Sequence, residues 1–350
     1  MLVGDEPILP YNRPPLSKEL LRDDLPDDLV LAEPERWYER RSVEVRTGHR
    51  VAGLDLDAQE ATLDDGSCLR FQRCLLATGA EPRRLRVPGA EHALLVRTLA
   101  DARRLREAAT SAAGGASVVV VGGGFIGLEV ASSLAALGLR PTVVELGDAL
   151  WSGALGRELS DWALGRLDAA GVVVRLGAAG TRLDDEGAWI GDELIEGAFV
   201  VAGIGVVPRD GLPADAGLVV ADGIVTGGAH RTSHAAIWAA GDVARVDGRR
   251  VEHWHAAREG GERAALSMLG LPMSPIPPPW VFTEVAGSTV DVVGIGEPWT
   301  AERWVRDGVL AYTNEGQLVG AAIVDSAMPA ERAREAVAAG SVVDLAWHAR

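Results

Sequence analysis

Apolar positions along the chain follow two rhythms. Through the first two thirds, short all-apolar runs alternate with Ala/Leu/Arg stretches at helical spacing, the pattern of parallel strands joined by helices. The clearest unit takes Val118 to Val121 as a buried strand, Gly122-Gly123-Gly124-Phe125-Ile126-Gly127 as a turn, Leu128 to Leu137 as a helix stopped by Gly138, and Pro141 to Glu145 as the next strand. A second strand-rich stretch, Val172 to Gly205, ends in Val200-Val201-Ala202-Gly203-Ile204-Gly205, and Ile237-Trp238-Ala239-Ala240 runs into Gly241-Asp242. Five prolines within the eight positions from Pro272 to Pro279 predict a linker. Beyond it, period-two alternation over Ser288–Gly294 and Val309–Val324 predicts antiparallel strands, closed by an Ala/Arg helix over Ala330–Ala339. No repeat of solenoid type is present.

Composition narrows the class. A chain of 350 residues exceeds one typical domain and implies two or three cores. Its 47% apolar and 24% charged residues exclude disordered and collagenous chains. The net charge of −16, with no Lys/Arg run, argues against nucleic-acid and membrane-surface partners. The first residues carry no basic region followed by an apolar stretch, and no window approaches 18 consecutive apolar residues, so a cytoplasmic address is expected. Cys68 and Cys74, with five residues between them, fit neither a CxxC redox pair nor a zinc set. They are expected to be two buried or half-buried thiols in a reducing compartment.

The glycine turn carries the most chemistry. Gly122-x-Gly124-x-x-Gly127 lies between a strand and a helix, where the first glycine makes the tight turn, the second admits a pyrophosphate and the third allows close helix packing. The phosphates would sit on the helix N-terminus. Eighteen residues after Gly127, the next strand ends in Glu145, whose carboxylate would accept the ribose 2′-OH and repel a 2′-phosphate, favouring NADH over NADPH. Leu2-Val3-Gly4-Asp5 reads either as the tail of a second such strand with its ribose-binding acid or as an ordinary edge strand with a surface acid. His253-Trp254-His255 with His230 and His234 lacks the companions of a metal site, and no metal is expected.

These residues resemble a known family. Asp5-Glu6-Pro7, Tyr11-Asn12-Arg13-Pro14-Pro15-Leu16-Ser17-Lys18, Ala77-Thr78-Gly79-Ala80-x-Pro82-Arg83, Val96-Arg97-Thr98-Leu99, Gly122 to Glu129, Gly203-Ile204-Gly205 and Ala240-Gly241-Asp242-Val243 occur in the order found in FAD-dependent NADH:ferredoxin reductases that serve oxygenases. The resemblance implies an α/β fold with two Rossmann-like dinucleotide-binding domains, the first incomplete, and a small α+β C-terminal domain. The implied boundaries are 1–99 and 208–277 for the two parts of the FAD domain, 100–207 for the NAD domain and 278–350 for the C-terminal interface domain. In that family a strand, GxGxxG and helix precede the Asp5 segment. Their absence here is expected to weaken or abolish flavin binding and to expose apolar surface, and the intact later motifs favour a misplaced start codon over a truly shortened protein.

Position by position, the resemblance implies that Asp5 binds the adenosine ribose of FAD, Lys18 lies by the flavin N5 and Arg97 contacts the flavin cofactor. Val51 matches a backbone contact to the adenine, Asp242 the ribityl and phosphate contact, and Trp254 a position beside the ring's pyrimidine edge. Gly122, Gly124, Gly127 and Glu145 would hold NADH, and Glu129 would pair with Lys18 beside the nicotinamide. Trp280-Val281-Phe282-Thr283-Glu284 stands where the family has an aromatic-Ser-Asp stretch near the flavin. The implied activity passes electrons from NADH through FAD to a ferredoxin-type iron–sulfur protein, in a monomer or homodimer. Arg303, Arg306, Arg332 and Arg334 are the candidate docking cations for such a carrier. Alternatives are a non-flavin NAD(H)-binding module and a rubredoxin-linked or apoptosis-inducing-factor-like reductase of the same fold. Of the 34 cationic residues only Lys18 is lysine, which marks a position where a planar guanidinium will not serve.

Overall fold

The computed structural model describes residues 1–22, 24–306 and 308–341; the last part of the segment predicted from 278 onward lies outside them. The chain forms two compact units. One comprises Met1–Arg13, Pro26–Glu81 and Val207–Ile276, and the other Pro14–Leu25, Pro82–Val206 and the chain from Pro277 onward. Among the described residues no helix is long and apolar enough to cross a membrane.

The second unit is built on a five-stranded parallel sheet in the order Val173–Arg175, Arg140–Val144, Ser117–Val121, Val200–Ala202, Ala93–Leu94. Val118, Val119 and Val120 are wholly buried because strands of such a sheet are covered on both faces, so an unbroken apolar run suits them. Each contributes roughly 1.5–3 kcal/mol of burial. The helix after the glycine turn spans Phe125–Ala136, three residues ahead of the predicted start. Gly124 is its N-cap and Gly127 already lies inside it, so the motif is shared between turn and helix rather than preceding the helix. The Pro277-onward part forms a five-stranded antiparallel sheet in the order Trp280–Val285, Ser288–Val293, Gln317–Val324, Val309–Asn314, Ala301–Arg306. The helix Ala330–Ala339 packs on its second and third strands through Ala330, Ala333 and Ala336. Small side chains there let the helix lie close to the sheet.

The first unit contains three parallel strand pairs, Leu2–Gly4 with Val45–Thr47, Cys74–Leu76 with Ile237–Ala239, and Ile224–Thr226 with Ala244–Val246. Leu76, Ile224, Ile237 and Ala239 share a core with Leu54 and Phe71 from around a three-stranded antiparallel sheet. In that sheet one cysteine departs from expectation. Cys68 is exposed, because the outer strand Cys68–Arg70 alternates and turns Leu69 inward instead. Cys74 is half-buried, and burial pushes its thiol up to about 11. At pH 8 a water-soluble thiol reagent is expected to modify one cysteine per native chain and two after denaturation. Two rapid modifications in the native protein would contradict this assignment.

Candidate functional site

The glycine turn follows from steric necessity at two positions. Gly122 has φ +111°, and a Cβ there would stand 2.5 Å from the Gly203 carbonyl oxygen. A Cβ on Gly127 would overlap the Gly122 carbonyl oxygen, so only glycine lets the helix close onto the turn. Gly124 is different: a Cβ there would meet nothing nearer than the Gly203 oxygen at 3.9 Å, which leaves open space in front of the helix. No side chain caps that N-terminus, so its backbone N–H groups are suited to an anionic group.

Glu145, buried at the end of the neighbouring strand, is folded onto the same turn. Its Oε2 accepts the Gly123 N–H at 2.5 Å and its Oε1 the Gly147 N–H at 2.7 Å. A carboxylate has about four acceptor positions, so these two bonds orient it and leave capacity for ribose hydroxyls. Glycine cradle, helix N-terminus and oriented carboxylate together fit a nicotinamide dinucleotide.

Two residues beyond Gly127 the same helix carries Glu129, 5% exposed amid fully buried Leu128, Val130 and Ala131. A carboxylate so placed costs several kcal/mol unless it is paired and hydrogen-bonded. Here it is both. Lys18 Nζ lies 3.2 Å from Oε1, Thr283 Oγ1 donates to Oε1 at 2.8 Å, and Ser17 Oγ donates to Oε2. Lys18, 7% exposed, follows the short helical turn Pro14–Ser17, and its ammonium stands 5.9 Å from the Phe282 ring centre. Ser133, one turn along the helix from Glu129, donates to the Ser17 carbonyl at 2.8 Å and fixes the Lys18 segment against the helix. Next along the strand from Thr283, Glu284 holds Arg22 at 2.8 Å. Arg97, half-buried, precedes the helix Leu99–Ser111, and its N–H donates to Asp101 at 3.3 Å beside the Thr98–Asp101 capping box.

The first unit holds the remaining predicted residues. Asp5 follows the strand Leu2–Gly4 and is ion-paired with Arg209 at 3.2 Å. Val51 opens the strand Val51–Asp55. Asp242 lies in the turn Gly241–Val243 after Ile237–Ala239, where Gly241 takes φ +75°. Trp254 begins the helix Trp254–Leu269, and its indole donates to Asn12 Oδ1 at 3.1 Å. Of the histidines considered for metal binding, His230, His234 and His253 turn ring nitrogens to the backbone, and His255 lies 3.4 Å from the Glu259 carboxylate. His253 caps His255, and buried His230 sets Nδ1 2.9 Å from the Ala239 oxygen, with desolvation drawing its imidazole below the usual range. Within this unit Asp5 and Asp242 offer carboxylates for hydroxyls and Trp254 an indole for a ring edge, chemistry that suits FAD.

The structure thus joins Lys18 to Glu129 and Glu145 to the glycine turn. Ser17 and Thr283, the partners that complete the Glu129 site, were not assigned to Glu129 from sequence. Ser17 carried a signal, standing directly before Lys18. The four candidate docking arginines fall into two groups. Arg303 and Arg306 lie on the outermost strand, whereas Arg332 pairs with Glu335 at 2.9 Å and Arg334 donates to the Pro278 oxygen at 2.6 Å from the helix over the other part of the sheet.

A parallel dinucleotide-binding sheet with this glycine turn and a buried Lys–Glu pair defines a pyridine-nucleotide-dependent oxidoreductase. Residues 1–261 match the model of the pyridine nucleotide-disulphide oxidoreductase family, and the chain belongs to that family of FAD-dependent NAD(P)H oxidoreductases. Among solved structures it is similar to putidaredoxin reductase in its covalent complex with putidaredoxin, with 25% identity, TM-score 0.90 and coverage of 97% of this chain and 86% of that one. It is also similar to the ferredoxin reductase for the CYP199A2 system from Rhodopseudomonas palustris, with 27% identity, TM-score 0.87 and coverage of 97% and 93%. A protein described as Fdr9 shares 32% identity, TM-score 0.83 and coverage of 96% and 87%.

Proposed function

We propose that this protein is an NADH:ferredoxin reductase that carries electrons from NADH through FAD to an iron–sulfur protein. The observation that supports it most is the buried Lys18–Glu129 pair in the unit of the glycine turn, with neither cysteine in that unit. A disulphide reductase needs a redox-active thiol in its site; Cys74 is half-buried with its thiol pushed up to about 11, and Cys68, though exposed, lies on the outer strand of the three-stranded sheet in the other unit. Bound FAD would accept hydride and release single electrons. The chain's own residues orient and desolvate. Gly122, Gly124, Gly127 and Glu145 would hold NADH, Glu129 and Lys18 would flank the nicotinamide and flavin, and Asp5, Val51, Arg97, Asp242 and Trp254 would hold FAD. Ser17 and Thr283 keep Glu129 in one rotamer, and with it the Lys18 ammonium.

Arg303 and Arg306 are the carrier-facing cations we favour, since Arg332 and Arg334 are engaged elsewhere. The test supplies FAD-replete protein with NADH and, in turn, an iron–sulfur ferredoxin, a rubredoxin and a small disulphide. Ferredoxin reduction should dominate, and Arg303→Glu should raise the KM for ferredoxin about tenfold while NADH-to-ferricyanide turnover changes far less. Preferential disulphide reduction, or equal loss of both activities, would refute the assignment.

A further inference from the structure

Residues 146–156 run from Glu145 to the helix Arg157–Ala169 and are fastened at both ends. At the near end the Trp151 N–H donates to the Gly123 carbonyl at 2.8 Å, on the peptide next to the one whose N–H is held by Glu145. Trp151 is 4% exposed and has φ +54°, a left-handed conformation that a bulky residue adopts at a cost of about 1–3 kcal/mol and only where its surroundings impose it. Its ring lies 6.3 Å from that of Phe125, the first residue of the glycine-turn helix, and fully buried Leu150 would be 3.0 Å from a Cβ on Gly123.

The far end is held by the C-terminal sheet. Tyr312 donates its hydroxyl to the Leu155 carbonyl at 2.6 Å, and Glu302 Oε1 accepts the N–H groups of Arg157 at 2.8 Å and Glu158 at 3.2 Å. Glu302 and Tyr312 stand directly opposite each other on adjacent strands. Gly156, at φ +83°, admits the Glu302 carboxylate against its backbone, where a Cβ would collide with it. Burial, with Glu302 adding its negative charge, raises the Tyr312 phenol far above its ordinary range, so it remains a hydrogen-bond donor at every working pH.

We propose that Glu302 and Tyr312 are positioning residues of the dinucleotide site, acting through the 146–156 strap to fix the Gly123 peptide. The path is a chain of direct contacts from the C-terminal sheet to Leu155, through the strap to Trp151, and from Trp151 to the glycine turn. Trp151 and Leu155 are buried at its two ends, and exposed Gly153 and Ala154 between them are tied by the Ala154 N–H donating to the Trp151 carbonyl at 2.9 Å and the Gly156 N–H to the Gly153 carbonyl at 3.2 Å, so a released anchor moves the strap and the Gly123 carbonyl together. The nucleotide site is therefore held partly by the sheet that also carries Arg303 and Arg306, which makes nucleotide affinity sensitive to changes on that sheet.

This inference rests on the NADH-binding reading of the glycine turn, and the test separates the two. NAD⁺ is titrated calorimetrically into the full chain, with thermal stability measured in parallel. Glu302→Ala should weaken NAD⁺ about tenfold and Tyr312→Phe about threefold, while Glu302→Gln, which keeps the acceptor oxygen, should stay within about twofold of wild type. Ala333→Gly, in the buried face of the C-terminal helix, should lower Tm without moving the affinity. If wild type binds no NAD⁺, the underlying reading fails. If wild type binds and both Glu302→Ala and Tyr312→Phe bind equally well, or if Ala333→Gly weakens binding as much as they do, the strap has no positioning role. Should Glu302→Ala not fold, Tyr312→Phe, which removes a single oxygen, decides alone.

Discussion

Lys18→Met is expected to lower NADH-driven turnover by about a hundredfold and to destabilise the fold by about 3–5 kcal/mol. Both effects follow from Glu129. Its carboxylate is 5% exposed, and removing the ammonium at 3.2 Å leaves a buried charge held only by the hydroxyls of Ser17 and Thr283. Glu129→Gln in the same chain removes that charge. The double variant should therefore recover most of the stability, measured by chemical denaturation, and none of the turnover. Were the ion pair only structural, the double variant would recover both. Lys18→Met retaining turnover within threefold of wild type would remove Lys18 from the site altogether.

The second large effect contrasts two glycines three residues apart. In Gly127→Ala the new methyl would overlap the Gly122 carbonyl oxygen, so the helix must withdraw from the turn. Overpacking of this kind costs about 1–3 kcal/mol, and NAD⁺ affinity should fall by at least about a hundredfold with it. Gly124→Ala meets only an oxygen at 3.9 Å, and its φ of −87° suits alanine. That variant should melt within a degree or two of wild type and still bind NAD⁺ poorly, because the methyl occupies the space through which a pyrophosphate would approach. Wild-type NAD⁺ affinity in Gly124→Ala would show that no phosphate group passes over this glycine.

Much of the candidate nucleotide site was legible in the chain because its determinants are local. A buried parallel strand needs an unbroken apolar run, the turn needs glycine at fixed offsets, and the carboxylate must stand at the end of the next strand. Val118 to Val121, Gly122, Gly124, Gly127 and Glu145 meet those demands within 28 residues. The period-two pattern beyond the proline-rich linker marked the antiparallel sheet for the same reason. The helix start was displaced because glycine reads as a breaker in sequence, whereas Gly127 is needed inside the helix for contact with Gly122.

By itself, then, the sequence determined the alternation of strands and helices, the glycine turn with the acid beside it, and the singular standing of Lys18 among 34 cations. Tertiary structure alone decided what surrounds Glu129, since Ser17 and Thr283 stand 112 and 154 residues from it and no periodicity links them. It also decided that Cys68 faces solvent, that the docking arginines divide between a sheet edge and a helix, and that Trp151 adopts a left-handed backbone to reach Gly123. The physical reason is common to all four. Period and turn chemistry act between near neighbours, whereas burial, charge pairing and strain depend on which distant segments the packed core brings together.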